Sequence, residues 1–316
     1  MRGLRLLWSV AVAEGLLLGL YALAFEPGRL ALTLVRRTDP GLDRPRRFLV
    51  LSDTHLHPWS RRTFHRIAHA AAWARAAGAT HALIAGDLLE TDEEVDLIAA
   101  RLRRALGDLP AVYVTGNHEL RGDLWWQRHV NDPVLIGVAM GRHGIERIDG
   151  RLVVLDGVPV LGIGWRGWRA GAGRDAAERL AAASRSAIVL AHSPDHVRGL
   201  PSKSVLLALC GHTHGGQVRV PVIGAPWVPV RAPLPRVAGA MTIGGAPAYV
   251  SRGIGATIPV RLGAVPEAVL LEIGPGDPVS IEATKVVEIG PRRRPQERLT
   301  SSLPRRLHRR RLTTRR

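Results

Sequence analysis

Eight side chains able to bind a metal or move a proton fall in five short runs. They are Asp53 and His55 in SDTH, Asp87 in AGDL, Asn117 and His118 in TGNHE, His192 in AHSP, and His212 and His214 in CGHTH. Carboxylate and amide oxygens mixed with imidazole nitrogens suit Mn, Fe or Zn rather than a thiolate site. In Asp53-x-His55 and His212-x-His214 the two donors stand at i and i+2, so on leaving a strand both point to one side. Asp87 is alone on its loop, and its two oxygens are free to bridge two ions. Gly86, Gly116 and Gly211 let the backbone turn sharply beside these donors. A single D-x-H or GD arises by chance; all five runs in this order are not explained as satisfied core residues.

Each run follows an apolar stretch that reads as a strand: FLVL, HALIA, AVYV, AIVLA and VLLALC. Ligands of open α/β sheets bind beyond the carboxyl ends of strands, so five such strands deliver the donors to one edge. The pattern predicts strands at Leu30 to Val35, Phe48 to Leu51, His81 to Ala85 and Ala111 to Thr115. Others follow at Arg151 to Leu155, Val158 to Ile163, Ser186 to Ala191 and Val205 to Cys210. Between them, Arg62 to Ala77 carries apolar residues at helical spacing and stops at Gly78; a second helix runs from about Glu93 to Leu106 and stops at Gly107. A Pro/Asp/Gly/Arg linker, Thr38 to Arg47, precedes the first motif strand. Alternating strands and helices predict an α/β sheet, partly parallel, with strands and turns prevailing after Gln217.

Composition bounds the rest. The 316 residues fit one catalytic domain plus end segments, and 46% hydrophobic residues supply a sizeable core. The one cysteine, Cys210, excludes an internal disulfide. The net charge of +17 is uneven: the stretch from Arg292 to Arg316 contributes +10 through eleven Arg and Glu297. That tail is predicted to be disordered. Leu6 to Phe25 is an apolar run of about 20 residues, near the length that crosses a bilayer, interrupted by Glu14. It predicts a single-pass N-terminal anchor or a signal segment. Arg2 and Arg5 before it, with Arg29, Arg36 and Arg37 after it, leave the side of the membrane open.

The order D-x-H, GD, GNH[DE], H, GH-x-H resembles that of the calcineurin-like metallophosphoesterase superfamily. HSPD at 192–195, GHTHGGQ at 211–217, VSRGIG at 250–255, Pro266-Glu267 and Glu26-Pro27 resemble its membrane-associated YaeI/YkuE-type phosphodiesterase branch. The resemblance covers about residues 26–275. It implies a four-layer α/β/β/α sandwich, two mixed β-sheets flanked by helices, with an N-terminal hydrophobic helix. The implied organisation is 1–25 anchor or signal segment, 26–290 catalytic domain and 291–316 Arg-rich tail. It also implies two divalent ions (Mn, Fe or Zn). Asp53, His55, Asp87 and His214 would hold one; Asp87, Asn117, His192 and His212 the other. His118 would stand beside them as a catalytic group that does not bind metal, touching substrate together with Asn117. Arg252 is a weaker substrate-binding candidate, with a structural salt bridge as the competing reading. Trp125 and Trp126 compete between cleft lining and packing. His57 stands where the branch differs, and Glu119, in place of the commoner Asp, offers a longer side chain to orient His118.

The implied activity is phosphoester hydrolysis, phosphodiesterase or phosphatase, with a metal-bridging hydroxide attacking phosphorus in line. An anchor makes a lipid or envelope phosphoester attractive, with membrane contact through the N-terminal helix and the basic tail. The alternatives are a nuclease or cyclic-nucleotide phosphodiesterase, with nucleic acid drawn by the tail but not favoured, and an inactive metal-binding scaffold. Oligomeric state is not set by these motifs.

Overall fold

Two β-sheets face each other and carry helices on their outer sides, as the computed structural model shows for residues 2–120, 131–165, 172–183, 185–220, 222–231, 233–277 and 281–290. The first sheet contains β1 (Leu30–Asp39), β2 (Arg46–Leu51), β3 (His81–Ala85), β4 (Ala111–Val114), β5 (Ile145–Arg147), β12 (Glu267–Pro275) and β13 (Glu282–Ile289). Its spatial order is β13-β1-β12-β2-β3-β4-β5, with β2, β3, β4 and β5 parallel. The second sheet contains β6 (Leu152–Leu155), β7 (Val158–Ile163), β8 (Ala187–Ala191), β9 (Val205–Cys210), β10 (Gly239–Ile243) and β11 (Ala246–Val250). Its order is β10-β11-β9-β8-β7-β6, with β7, β8, β9 and β11 parallel.

Alternation along the strands produces the layers. In β3, Ala82 and Ile84 face the helices α2 (Arg61–Ala76), α3 (Val95–Leu106) and α4 (Pro133–Arg142), while Leu83 and Ala85 face the other sheet. In β8, Ile188 and Leu190 meet that inner layer, and Val189 and Ala191 pack outward with Leu180 of α5 (Ala172–Ala182). Both faces of the parallel strands are covered, so these strands read as continuous apolar runs. The result is the expected α/β/β/α sandwich with two mixed sheets.

The helices stop where the sequence marks it. Gly78 and Gly107 take φ of +86° and +69°, the left-handed region that ends a helix without a Cβ clash. α4 and α5 had no counterpart among the expected elements. α4 starts on Asp132, whose carboxylate accepts from Val134 N and Leu135 N, with Pro133 in the first turn. β1 runs on to Asp39, into the expected linker, because it pairs with both β12 and β13.

The N-terminal expectation needs correction. No helix among the described residues is long and apolar enough to cross a membrane, so neither a transmembrane helix nor a single-pass anchor is supported. α1 spans Arg2–Leu20 and includes Arg2 and Arg5 ahead of its apolar stretch and Glu14 within it. At Tyr21–Phe25 the chain changes to a wider π turn. Ala22 is buried there and its carbonyl accepts from Arg261 N. Glu26 then accepts from Gly263 N and Ala264 N, so the chain is stitched to the body at the end of the expected span. The Arg-rich tail, Trp125 and Trp126 lie outside the described residues.

Candidate metal centre

All five motif runs leave the carboxyl ends of parallel strands. β2, β3 and β4 of one sheet deliver Asp53, His55, Asp87, Asn117 and His118; β8 and β9 of the other deliver His192, His212 and His214. The two sets meet at the seam between the sheets. Asp53, His55 and His214 form one grouping of potential ligand atoms, and Asp87, His192 and His212 a second.

Asp87 Oδ2 is the common point. It lies 3.1 Å from His192 Nε2 and 3.8 Å from His55 Nε2. His192 Nε2 is also 3.1 Å from Asn117 Oδ1 and 3.0 Å from His212 Nδ1. His55 Nε2 is 3.2 Å from His214 Nε2, which is 3.6 Å from Asp53 Oδ1. The seven expected ligands therefore converge, three on each side of a central Asp87.

The way the backbone presents these donors differs from the expected strand-end alternation. Asp53, His55, Asp87, His212 and His214 all have positive φ, between 44° and 69°. Non-glycine residues rarely adopt this region, and it costs of order 1–3 kcal/mol at each such site. Cross-loop hydrogen bonds hold it in place: Asp53 N to Gly86 O, His55 N to Asp87 O, and His212 N to Asp53 Oδ1. The glycines have steric roles. A Cβ on Gly116 would stand 2.1 Å from Asp87 Oδ1, and one on Gly211 would stand 2.3 Å from Asp53 Oδ2.

The donor set fits cations. Asp53 Oδ2 is buried with no hydrogen-bond partner, an arrangement that normally carries a cost. Burial, followed by the charge of His192, pushes His212 down to about 3. Burial, then His55 and Arg261, also lowers His214. These imidazoles are held neutral, with lone pairs available. His192 Nδ1 donates to Ala85 O, which fixes the tautomer that turns Nε2 toward Asp87.

His118 stands in a third grouping with His55 and Asp87. Burial would lower it, but Asp87 and the hydrogen bond that His118 donates to Glu90 outweigh that and push it up to about 10. Glu90 is the residue that the sequence analysis missed. It is buried, and contacts His55 Nδ1 at 2.5 Å, His118 Nδ1 at 3.0 Å and the Thr257 hydroxyl. Glu119, which was expected to orient His118, instead accepts from the backbone N–H groups of Asp87, Leu88, Leu89 and Gly116. The signal for Glu90 was its spacing three residues after Asp87; its partners could not be read from that.

Arg252 is not brought into the groupings. Its guanidinium donates to Glu267 Oε1 at 2.8 Å, and its N–H to Glu267 Oε2 at 3.1 Å. His57 stacks on Trp59, with ring centroids 4.9 Å apart.

The family of calcineurin-like phosphoesterases matches residues 46–216. Phosphodiesterase YaeI of Escherichia coli (strain K12) is 43% identical over 86 residues, covering 27% of this chain and 32% of that protein. The uncharacterized metallophosphoesterase YkuE of Bacillus subtilis (strain 168) is 40% identical over 83 residues, covering 25% of this chain and 28% of that protein. The matched stretches thus span about a third of either relative. The phosphopantetheinyl hydrolase of Mycobacterium tuberculosis superposes with a TM-score of 0.38 and 12% identity, covering 68% of this chain and 91% of that one. A likeness at that level bears on neither activity nor substrate. With the family match spanning more than half of the residues, from β2 through the GHTHGG run, the chain belongs to the calcineurin-like phosphoesterase family.

Proposed function

We propose that this protein is a metal-dependent phosphoric ester hydrolase with a dinuclear centre. The observation that carries the reading is the convergence of Asp53, His55, Asn117, His192, His212 and His214 around Asp87. Asp53, His55, Asp87 and His214 would hold one divalent ion; Asp87, Asn117, His192 and His212 the other. Bound there, such ions would activate a water and neutralise charge on the phosphoryl oxygens.

The chain's own residues do the rest. Glu90 fixes the rings of His55 and His118 from behind. His118, kept protonated beside Asp87 and Glu90, holds the proton that a leaving alkoxide needs. Glu119 anchors the turns that carry Asp87 and Asn117. The left-handed backbone aims the donors before any ligand arrives, which limits reorganisation during the reaction.

The choice of a lipid or envelope phosphoester rested on an anchor. With that anchor unsupported, the choice loses its argument. A nuclease reading rests on the Arg-rich tail, outside the described residues. An inactive scaffold sits poorly with a full donor set held in strained backbone. The test is direct. Purified protein loaded with Mn is assayed for bound metal and for hydrolysis of bis-p-nitrophenyl phosphate, beside Asp87→Ala. Turnover that survives that substitution would sink the reading.

A further inference from the structure

A cleft of about 300 Å³ opens beside the His192–His212 side of the centre. Its walls include Trp165, Ser193, Asp195, His196, Trp227 and Arg231. Trp165 is the partition. Its ring centroid lies 5.1 Å from that of His212, 5.8 Å from His192 and 5.4 Å from His196. Ser193 directly follows His192. The cleft therefore begins where the candidate ligands end.

The opposite wall is the segment from Trp227 to Arg231. It contains no regular element, yet it is tied to the same runs that carry the ligands. The His212 ring hydrogen-bonds to the Pro229 backbone. Arg231 N donates to Asp195 Oδ2 at 2.8 Å. Further along, Arg198 Nη2 donates to Pro233 O at 2.8 Å, and Thr213 Oγ1 to Val237 O at 2.7 Å. A wall held this way keeps a fixed distance from the metal centre.

The lining has a definite chemistry. Two indoles, with the Val228–Val230 stretch between Trp227 and Arg231, offer flat apolar surface. Trp227 is 74% exposed, a large ring left in water on the rim of a cleft. Arg231 is exposed, and among the described residues no carboxylate pairs with its guanidinium. The nearby carboxylate of Asp195 already takes the Arg231 backbone N–H and lies 3.5 Å from Arg198 Nε. The His196 ring is buried, and burial, then His192 and Arg231, pushes it down to about 3, so it adds no charge to the wall. The volume is at the low end of ligand pockets, about 300–1,000 Å³, which suits one ring system with a substituent rather than a polymer.

We infer that this cleft binds the organic arm of the phosphoester, a flat aromatic group bearing a second anion, with its ring against Trp165 and Trp227 and its anion on Arg231. The inference rests on the phosphoesterase reading, which puts phosphorus at the metal centre while the arm enters the cleft. Arg231 and the indoles then set specificity, because a small arm leaves them in water and gains nothing from them.

The test uses the full chain, loaded with Mn, and p-nitrophenyl phosphodiesters that differ only in the retained arm: methyl, phenyl, 5′-thymidyl, and 5′-thymidyl with a 3′-phosphate. Wild-type kcat/KM should rise along that series. Trp227→Ala should lower it by about tenfold for the phenyl and thymidyl arms, mainly through KM, and bring the phenyl-to-methyl ratio toward one. Arg231→Gln should remove the advantage of the 3′-phosphate. Equal losses for every arm, or no change in the ratios, would overturn the inference. Should the wild type turn over neither these esters nor p-nitrophenyl phosphate, the phosphoesterase reading itself has failed. Calorimetric titration with thymidine 3′,5′-bisphosphate against inorganic phosphate then decides for the cleft. Tighter binding of the nucleotide that is lost in Trp227→Ala supports it; equal affinities reject it.

Discussion

Glu90 joins His55 to His118: one carboxylate oxygen lies 2.5 Å from His55 Nδ1 and the other 3.0 Å from His118 Nδ1. The ring centroids of the two histidines are 4.7 Å apart, at nearly a right angle. A single buried carboxylate thus orients a candidate metal ligand and the candidate proton donor together. Hydrogen bonds of this kind fix ring orientation and tautomer and raise ligand basicity.

Glu90→Gln keeps the size of the side chain and removes its charge. Metal affinity at the His55 side and kcat should each fall by about 10- to 100-fold. Metal titration followed by calorimetry, with steady-state kinetics at saturating metal, separates the two effects. Wild-type values for both would mean that Glu90 only fills space.

His118→Ala should retain the full metal complement and lose about 10²- to 10⁴-fold in kcat. Elemental analysis of the purified variant checks the first half. His118 shares a grouping with His55 and Asp87, so loss of an ion in this variant would move it into the ligand set.

Asp87→Ala removes the carboxylate that lies 3.1 Å from His192 Nε2 and 3.8 Å from His55 Nε2. Metal content should drop from two ions per chain to one or none, with turnover falling below detection. Retention of two ions would show that Asp87 does not bridge.

Gly116→Ala tests the steric cradle without replacing a donor. Its Cβ would meet Asp87 Oδ1 at 2.1 Å and the Asp87 backbone N at 2.6 Å, so turning the side chain alone does not relieve the clash. Stability should fall by about 1–3 kcal/mol, the usual cost of overpacking, and metal affinity should weaken with it. Thermal melts with and without Mn read both changes.

Metal removal should destabilise the fold. Saturation at 100 times Kd stabilises by about 2.7 kcal/mol, equivalent to about 4–5 °C in Tm for a chain of this size. Chelation should therefore lower Tm by that amount, and re-addition of Mn should restore it. A Tm indifferent to both treatments would indicate that no ion resides at the orphaned Asp53 Oδ2.

The sequence by itself determined the donor inventory, its order and most of the elements that carry it. The strands at His81–Ala85, Val158–Ile163 and Val205–Cys210 were legible to the residue, since strands buried on both faces must be apolar throughout. Helix ends at Gly78 and Gly107 were legible because a left-handed φ favours glycine. The tertiary structure decided what depends on distance between chain-remote groups. Only the packing of one sheet on the other brings His192, His212 and His214 to Asp53 and Asp87. Only that packing supports left-handed backbone at five donors that are not glycine, for which local propensity gives no sign. The choice of Glu90 over Glu119 as the partner of His118 was likewise settled across loops. So was the fate of residues 21–28, whose first five closed the expected membrane span. Their backbone and carboxylate groups find partners at Arg261, Gly263 and Ala264, and such partners are set by the folded surface.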